Sequence, residues 1–206
     1  MPVATSHPGR VVVLASGTGS VFDAFARAVT VEGEIEITGL VCDQPDAGVV
    51  ERADEVGVPA HVVPLLDRGR RAEWDGELAE VIAAAEPDLV VSAGFMRLLG
   101  PAVLDRFRDR VINTHPALLP SFPGAHAVRD ALDYGVRVTG CTVHLVDSGV
   151  DTGPVIAQRV VEVLADDDEG TLHERIKEVE RRLLPEVVLG MLRHGWTING
   201  RRVTIP

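Results

Sequence analysis

Long hydrophobic runs are missing from this 206-residue chain. No stretch of roughly 18 or more apolar residues occurs, so a membrane-spanning helix is not expected. The opening segment MPVATSHPGR lacks the apolar core of a secretory signal, and a soluble cytoplasmic protein is the expectation. Cysteine is scarce. Cys42 and Cys141 lie far apart and outside any CxxC pair, which argues against structural zinc and dithiol redox chemistry. Two buried thiols are the simpler reading. Positive charge is also in deficit. A formal net charge of −11 disfavours a broad nucleic-acid-binding surface, which needs a basic stripe. A local basic pocket for a small anion stays open. His115, His126 and His144 show neither H-x₃-H nor HExxH spacing, so no metal is expected. Repeats, low-complexity segments and linkers are absent. One domain over 1–206 is expected, with lobes at about 10–108 and 109–206.

What is present alternates. The chain is 46% hydrophobic and 25% charged, enough for a core under a charged surface. RVVVLAS (10–16), EITGLVCD (36–43), PAHVVPL (59–65) and PDLVVSAG (87–94) read as strands. The last has no polar face and should be buried on both sides. Between them, 21–29, 47–57 and 71–86 carry helical spacing, the second stopped by Gly57. VLDRF (103–107) is a short helix and RVINTH (110–115) a strand. AHAVRDALDYG (125–135) is a helix closed by Gly135. VRVTGCTVHLVD (136–147) alternates like a strand exposed on one face, and PVIAQRVVEV (154–163) is its antiparallel partner. The DDDE run at 166–169 reads as a solvated turn before a long helix, 171–195, where Pro185 predicts a kink or break. WTINGRRVTI (196–205) reads as a hairpin turning on Asn199-Gly200. The fold class is α/β: a mostly parallel, Rossmann-like open sheet flanked by helices, with a C-terminal antiparallel extension.

Two loops carry candidate chemistry. SGTGS (16–20) joins the first strand to the first helix, where glycines let backbone N–H groups face an anion. A third glycine and a Walker lysine are both missing, so a phosphate seat and a plain turn stay open. In INTHP, Asn113 and His115 are two apart on an extended chain and project from one face. Pro116 biases His115 away from helix. Leu119-Pro120 is a candidate cis bond at a tight turn. An amide and an imidazolium suit a developing oxyanion. DSGVDTG (147–153) offers Asp147 or Asp151 as the carboxylate that keeps the imidazole protonated. A hydrogen-bonded structural His and a turn-forming Asp are the alternatives.

Together, NTHPALLPSFPGAHA, GCTVHLVDSGVDTGPVIAQ, VVVLASGTGS and PDLVVSAGFMRLLGP resemble the phosphoribosylglycinamide formyltransferase family. These are folate-dependent enzymes of purine synthesis, and the resemblance covers nearly the whole chain. It implies a formyltransferase fold and transfer of the formyl group of 10-formyltetrahydrofolate to the amine of glycinamide ribonucleotide. It also implies that Asn113, His115 and Asp151 are catalytic. Gly19, Ser20 and Val21 match the phosphate loop, although the family usually has Asn where Val21 stands. Lys177 would meet the phosphate and Glu180 the ribose; an ordinary surface pair is their alternative. Met96, Arg97, Leu98 and Leu99 match the pterin-side segment, with Val146 opposite. Arg97 and Arg71 match positions near the folate tail. His126 and His144 match histidines that support the site. The implied partners are small molecules, with no nucleic acid or membrane, acting on a monomer or homodimer. A formyltetrahydrofolate deformylase, a formyltransferase with another amine acceptor and a non-catalytic nucleotide-binding module are the rivals. The deformylase and methionyl-tRNA formyltransferase families carry extra N- or C-terminal domains not expected here.

Overall fold

In the computed structural model, which describes residues 8–66 and 68–206, the apolar strand runs become the centre of one sheet. Strand β1 (Gly9–Ala15) is buried from Val11 to Ala15. Its side chains alternate between two cores. Val11, Val13 and Ala15 join one core, and Val12 and Leu14 the other. The first core takes residues from α1 (Ser20–Glu32), α2 (Gly48–Glu55), α5 (Ala127–Tyr134) and α6 (Glu169–His194). The second is built on α3 (Arg71–Ala84) and α4 (Pro101–Arg106). Helices therefore cover both faces, the arrangement that parallel strands require.

The remaining strands are β2 (Ile35–Cys42), β3 (Ala60–Val62), β4 (Leu89–Ser92), β5 (Val111–His115), β6 (Val138–Leu145) and β7 (Val155–Glu162). They lie in the order β3-β2-β1-β4-β5-β6-β7. The first five are parallel, and β6 and β7 run antiparallel to their neighbours. Strand order reverses between β1 and β4, the place where open α/β sheets bind ligands at strand carboxyl ends. The hairpin β8 (Thr197–Asn199) and β9 (Arg202–Thr204) packs beside β7. No helix among the described residues is long and apolar enough to cross a membrane.

Several local expectations need correction. Strand β6 is buried on both faces from Thr139 to Leu145, because α6 covers one side and the 117–119 segment the other. Helix α6 runs unbroken through Pro185. Leu183, Leu184, Val187 and Val188 are buried around it, and this packing outweighs the one missing backbone bond. The hairpin pairs Asn199 with Arg202, so its turn residues are Gly200 and Arg201. Strand β3 is only three residues long and exposed. The acidic run at 166–169 is not merely solvated. Asp168 caps α6 in a reciprocal capping box with Thr171. The Arg175 guanidinium grips both oxygens of Asp167, at 2.7 Å each, and holds that carboxyl well below the usual range.

Candidate active site

One cavity of about 460 Å³ opens at the carboxyl ends of β1, β4 and β5. Its walls are the loop after β1, residues 92–99 after β4, the end of β5, the β6–β7 connection and one face of α6.

The loop after β1 carries Gly17 to Val21. Gly19 is the N-cap of α1 at φ 77°, a left-handed conformation that suits glycine. A Cβ there would come within 2.6 Å of Val49. The close seat against α2 therefore also excludes a larger residue. No side chain caps α1, so its first N–H groups are left for a ligand.

On β5, period-2 geometry sends Ile112 and Thr114 toward α6, and Asn113 and His115 to the opposite face. Thr114 donates its hydroxyl to Glu180 Oε1 at 2.8 Å. Asn113 pairs across the sheet with His144 and His115 with Thr142, so Asn113, His115 and His144 share one face.

The ring tautomers follow from their partners. His115 Nε2 lies 2.8 Å from the Phe122 carbonyl, which can only accept, so Nε2 carries a proton. Nδ1 of the same ring faces Asp151 Oδ2 at 3.4 Å. His144 Nδ1 donates to the Leu145 carbonyl at 2.8 Å. In the neutral ring its Nε2 accepts from the Asn113 amide at 3.2 Å. Asp151 Oδ1 lies 3.5 Å from that same Nε2. One amide hydrogen of Asn113 is thus directed to His144, and no partner engages the other among the described residues.

Asp151 therefore stands between two imidazoles. It also accepts the Gly124 N–H at 2.8 Å. Burial alone would raise its pKa, but the His144 contact, the Gly124 N–H and the two histidines bring it down to about 2. Burial pushes His115 below the ordinary imidazole range, against the pull of Asp151 and the Phe122 carbonyl. Asp147, the other carboxylate of this loop, is spent locally on the Gly149 N–H and the Thr152 hydroxyl. Close backbone packing shapes the loop too: a Cβ on Gly153 would sit 1.7 Å from the Leu145 carbonyl oxygen. Arg201, from the hairpin turn, donates to the Thr152 carbonyl at 2.9 Å and ties the loop to the C-terminus.

The far wall is apolar. Met96 and Leu98 are 71% and 57% exposed, unusual for large apolar side chains and suited to a flat ligand. Leu99 and Val146 line the same cavity. Two backbone groups of this segment are already engaged. The Met96 N–H donates to Ser16 Oγ at 2.8 Å, and Arg71 donates to the Leu98 carbonyl.

Arg71 also lies over the Trp74 ring at 5.0 Å and does not line the cavity. Arg97 does line it, with its Nε 2.7 Å from the buried Asp43 carboxylate. His126, exposed at the start of α5, is outside the cavity lining as well. Gly19, Ser20, Val21, Lys177 and Glu180 all contribute to the walls. Glu180 is buried, and burial pushes its carboxyl up to about 7 against the Thr114 hydroxyl, Lys177 and Arg181.

Three participants went unnoticed in the sequence. Asp43 directly follows β2 and, with Ser16 and Arg97, fixes the 95–97 segment. Phe122 supplies the carbonyl on His115. His173 lines the cavity four residues before Lys177. Only the last left a signal, the i,i+4 helical spacing.

Residues 9–188 match the formyl transferase family. The chain is similar to the phosphoribosylglycinamide formyltransferase of Mycobacterium tuberculosis, at 53% identity over 203 residues, covering 98% of this chain and 94% of that protein. The protein of the same name from Bacillus subtilis is 39% identical over 181 residues, 87% of this chain and 93% of that one. Among solved structures, glycinamide ribonucleotide transformylase 1 from Symbiobacterium toebii superposes with a TM-score of 0.94 at 40% identity, covering 98% of this chain and 95% of that chain.

Proposed function

The chain belongs to the formyl transferase family, and from that premise we propose how its cavity works. The protein transfers the formyl group of 10-formyltetrahydrofolate to the amine of glycinamide ribonucleotide, in the cytoplasm. The products are formylglycinamide ribonucleotide and tetrahydrofolate. The observation that carries this reading is the meeting of Asn113, His115, His144 and Asp151 between two unlike seats. One seat has a glycine loop and Lys177, suited to a phosphate. The other has Met96, Leu98, Leu99 and Val146, suited to a flat heterocycle. Arg97 bounds that second seat near the folate tail, and Arg71 supports it from behind through the Leu98 carbonyl.

The amine nitrogen attacks the formyl carbon, and the carbonyl oxygen takes the negative charge. The second amide hydrogen of Asn113 stabilises that oxygen, and His115 adds positive charge when it takes up a proton beside the Asp151 carboxylate. A new C–N bond forms, the bond from carbon to the folate nitrogen breaks, and one proton passes from the attacking amine to the leaving nitrogen. A carboxylate held near 2 is a weak final base. Asp151 accordingly acts by steadying a proton on the adjacent imidazole and relaying protons through water. Glu180 orients the ribose. His144 and His126 act as supports, His144 by aiming the Asn113 amide. The chain acts as a single domain whose two lobes, about 10–108 and 109–206, both line this cavity.

Formyl transfer tests the reading directly. Purified protein is mixed with 10-formyltetrahydrofolate, with and without glycinamide ribonucleotide. Tetrahydrofolate and formylated product should form only in the presence of the ribonucleotide. Formate release without it would overturn the transferase reading in favour of hydrolysis.

A further inference from the structure

We propose that His173 is a second cationic partner for the phosphate end of the ribonucleotide, becoming protonated from solvent as the dianion enters; this rests on the functional reading above. The loop Gly17–Val21 offers backbone N–H groups and hydroxyls but no ionisable side chain. A phosphomonoester carries about −1.5 to −2 charge near neutral pH. Compensating charge has to come from other walls. Arg97 lines the cavity but is held by Asp43 at 2.7 Å. Lys177, the only lysine in the sequence, is 2.7 Å from Glu174 and is shared with it.

His173 lies four residues before Lys177 on α6, so both side chains lie on one helix face. Both line the cavity that holds the glycine loop, and α1, which that loop opens, packs against α6. The His173 side chain is half-buried, and no side-chain hydrogen bond engages it among the described residues. Burial and Lys177 keep its imidazole below the ordinary range, while Glu174 and Glu169 pull the other way. The other ionisable groups lining the cavity are Arg97, His115, His144, Asp147, Asp151 and Glu180, and none of them enters that balance. In the free protein near pH 7 the ring is therefore neutral. An anion within about 4–6 Å favours the charged form, so a bound phosphate reverses the balance.

The test uses ribose 5-phosphate, an unreactive probe of this end of the substrate. It is titrated calorimetrically into the full chain in two buffers of different ionisation enthalpy, near pH 6.5 and pH 8.5. The wild type should take up a fraction of a proton on binding. His173→Gln and His173→Ala should take up less. They should bind roughly three- to fivefold more weakly at the lower pH, the effect there of a one-unit rise in an imidazole pKa that starts below the ordinary range, and should converge with wild type at the higher pH. Lys177→Met should weaken binding at both pH values, because its charge does not titrate there. Equal affinity and equal proton uptake in wild type and the His173 variants would overturn the proposal alone. No binding by the wild type would overturn the phosphate seat, and the proposal with it. Formyl transfer is measured separately, so failure of the reaction itself stays distinguishable.

Discussion

Asp151 holds a left-handed backbone, φ 53°, and Phe122, whose carbonyl receives His115 Nε2, does the same at φ 54°. Such non-glycine positions cost about 1–3 kcal/mol each and persist where the surroundings over-determine them. Both residues that bracket the His115 ring are thus held in place at a cost. Asn tolerates this conformation as Asp does, so Asp151→Asn should fold while losing the charge between the two imidazoles. Turnover should fall by about 10²–10⁴, the usual worth of a positioned proton-transfer group, with ribonucleotide affinity nearly unchanged. Steady-state kinetics together with ribonucleotide binding checks this, and near-wild-type turnover would remove Asp151 from the mechanism. Glu180 gives a pH prediction of opposite sign. Its folded pKa is raised, so its contribution to stability is fully present below about pH 4.5 and is lost as pH rises toward about 7. Glu180→Gln keeps an acceptor for the Thr114 hydroxyl and removes the titration. Its melting temperature should fall less than that of the wild type between pH 4.5 and pH 8; parallel melting curves for the two would show that Glu180 does not titrate in that window.

At the scale of elements, the connections after strands carry the site, and each is fixed by a neighbour. Gly19→Ala would place a Cβ against Val49 at φ 77°. The left-handed conformation costs about 1–2 kcal/mol and overpacking about 1–3 kcal/mol more. Urea unfolding should show that loss, and the KM for the ribonucleotide should rise with it. The β4–α4 connection depends on Asp43 through Arg97 and Ser16. Asp43→Asn weakens a charge-assisted contact, so the KM for the folate should rise roughly tenfold or more, well beyond any fall in kcat. An unchanged folate KM would detach Asp43 from that wall. Much of this scaffold was legible in advance. Alternating apolar strands and 3.6-spaced helices marked the parallel sheet, and period-2 spacing placed Asn113 and His115 on one face. What stayed hidden depends on tertiary partners. Nothing local marks Asp43 or Phe122, and His173 shows only its i,i+4 spacing to Lys177, because β2, the 116–124 loop and α6 meet only in the folded sheet. At Pro185, where local propensity argued for a kink or break, the helix stays continuous and buried packing lies on both sides of it.

At the scale of the molecule, one sheet crosses both halves of the chain, and the cavity draws on both. The glycine loop and the 92–99 segment come from the first half. Asn113, His115, Asp151 and the face of α6 come from the second. Helix α1 packs against α6, and both contribute to the same core. No boundary separates the glycine loop from Asn113, His115 and Asp151, so unfolding either half should dismantle the other. Calorimetry on the free protein should then give one cooperative transition rather than two. A ligand that binds only the folded state adds about 2.7 kcal/mol at a concentration a hundred times its Kd. With ribonucleotide at that level, the single transition should move upward as a whole, because the cavity proposed to hold it is lined by loop and helix from both halves. Two resolved transitions, with only one shifted by ligand, would show that the lobes fold separately and that the seat belongs to one of them.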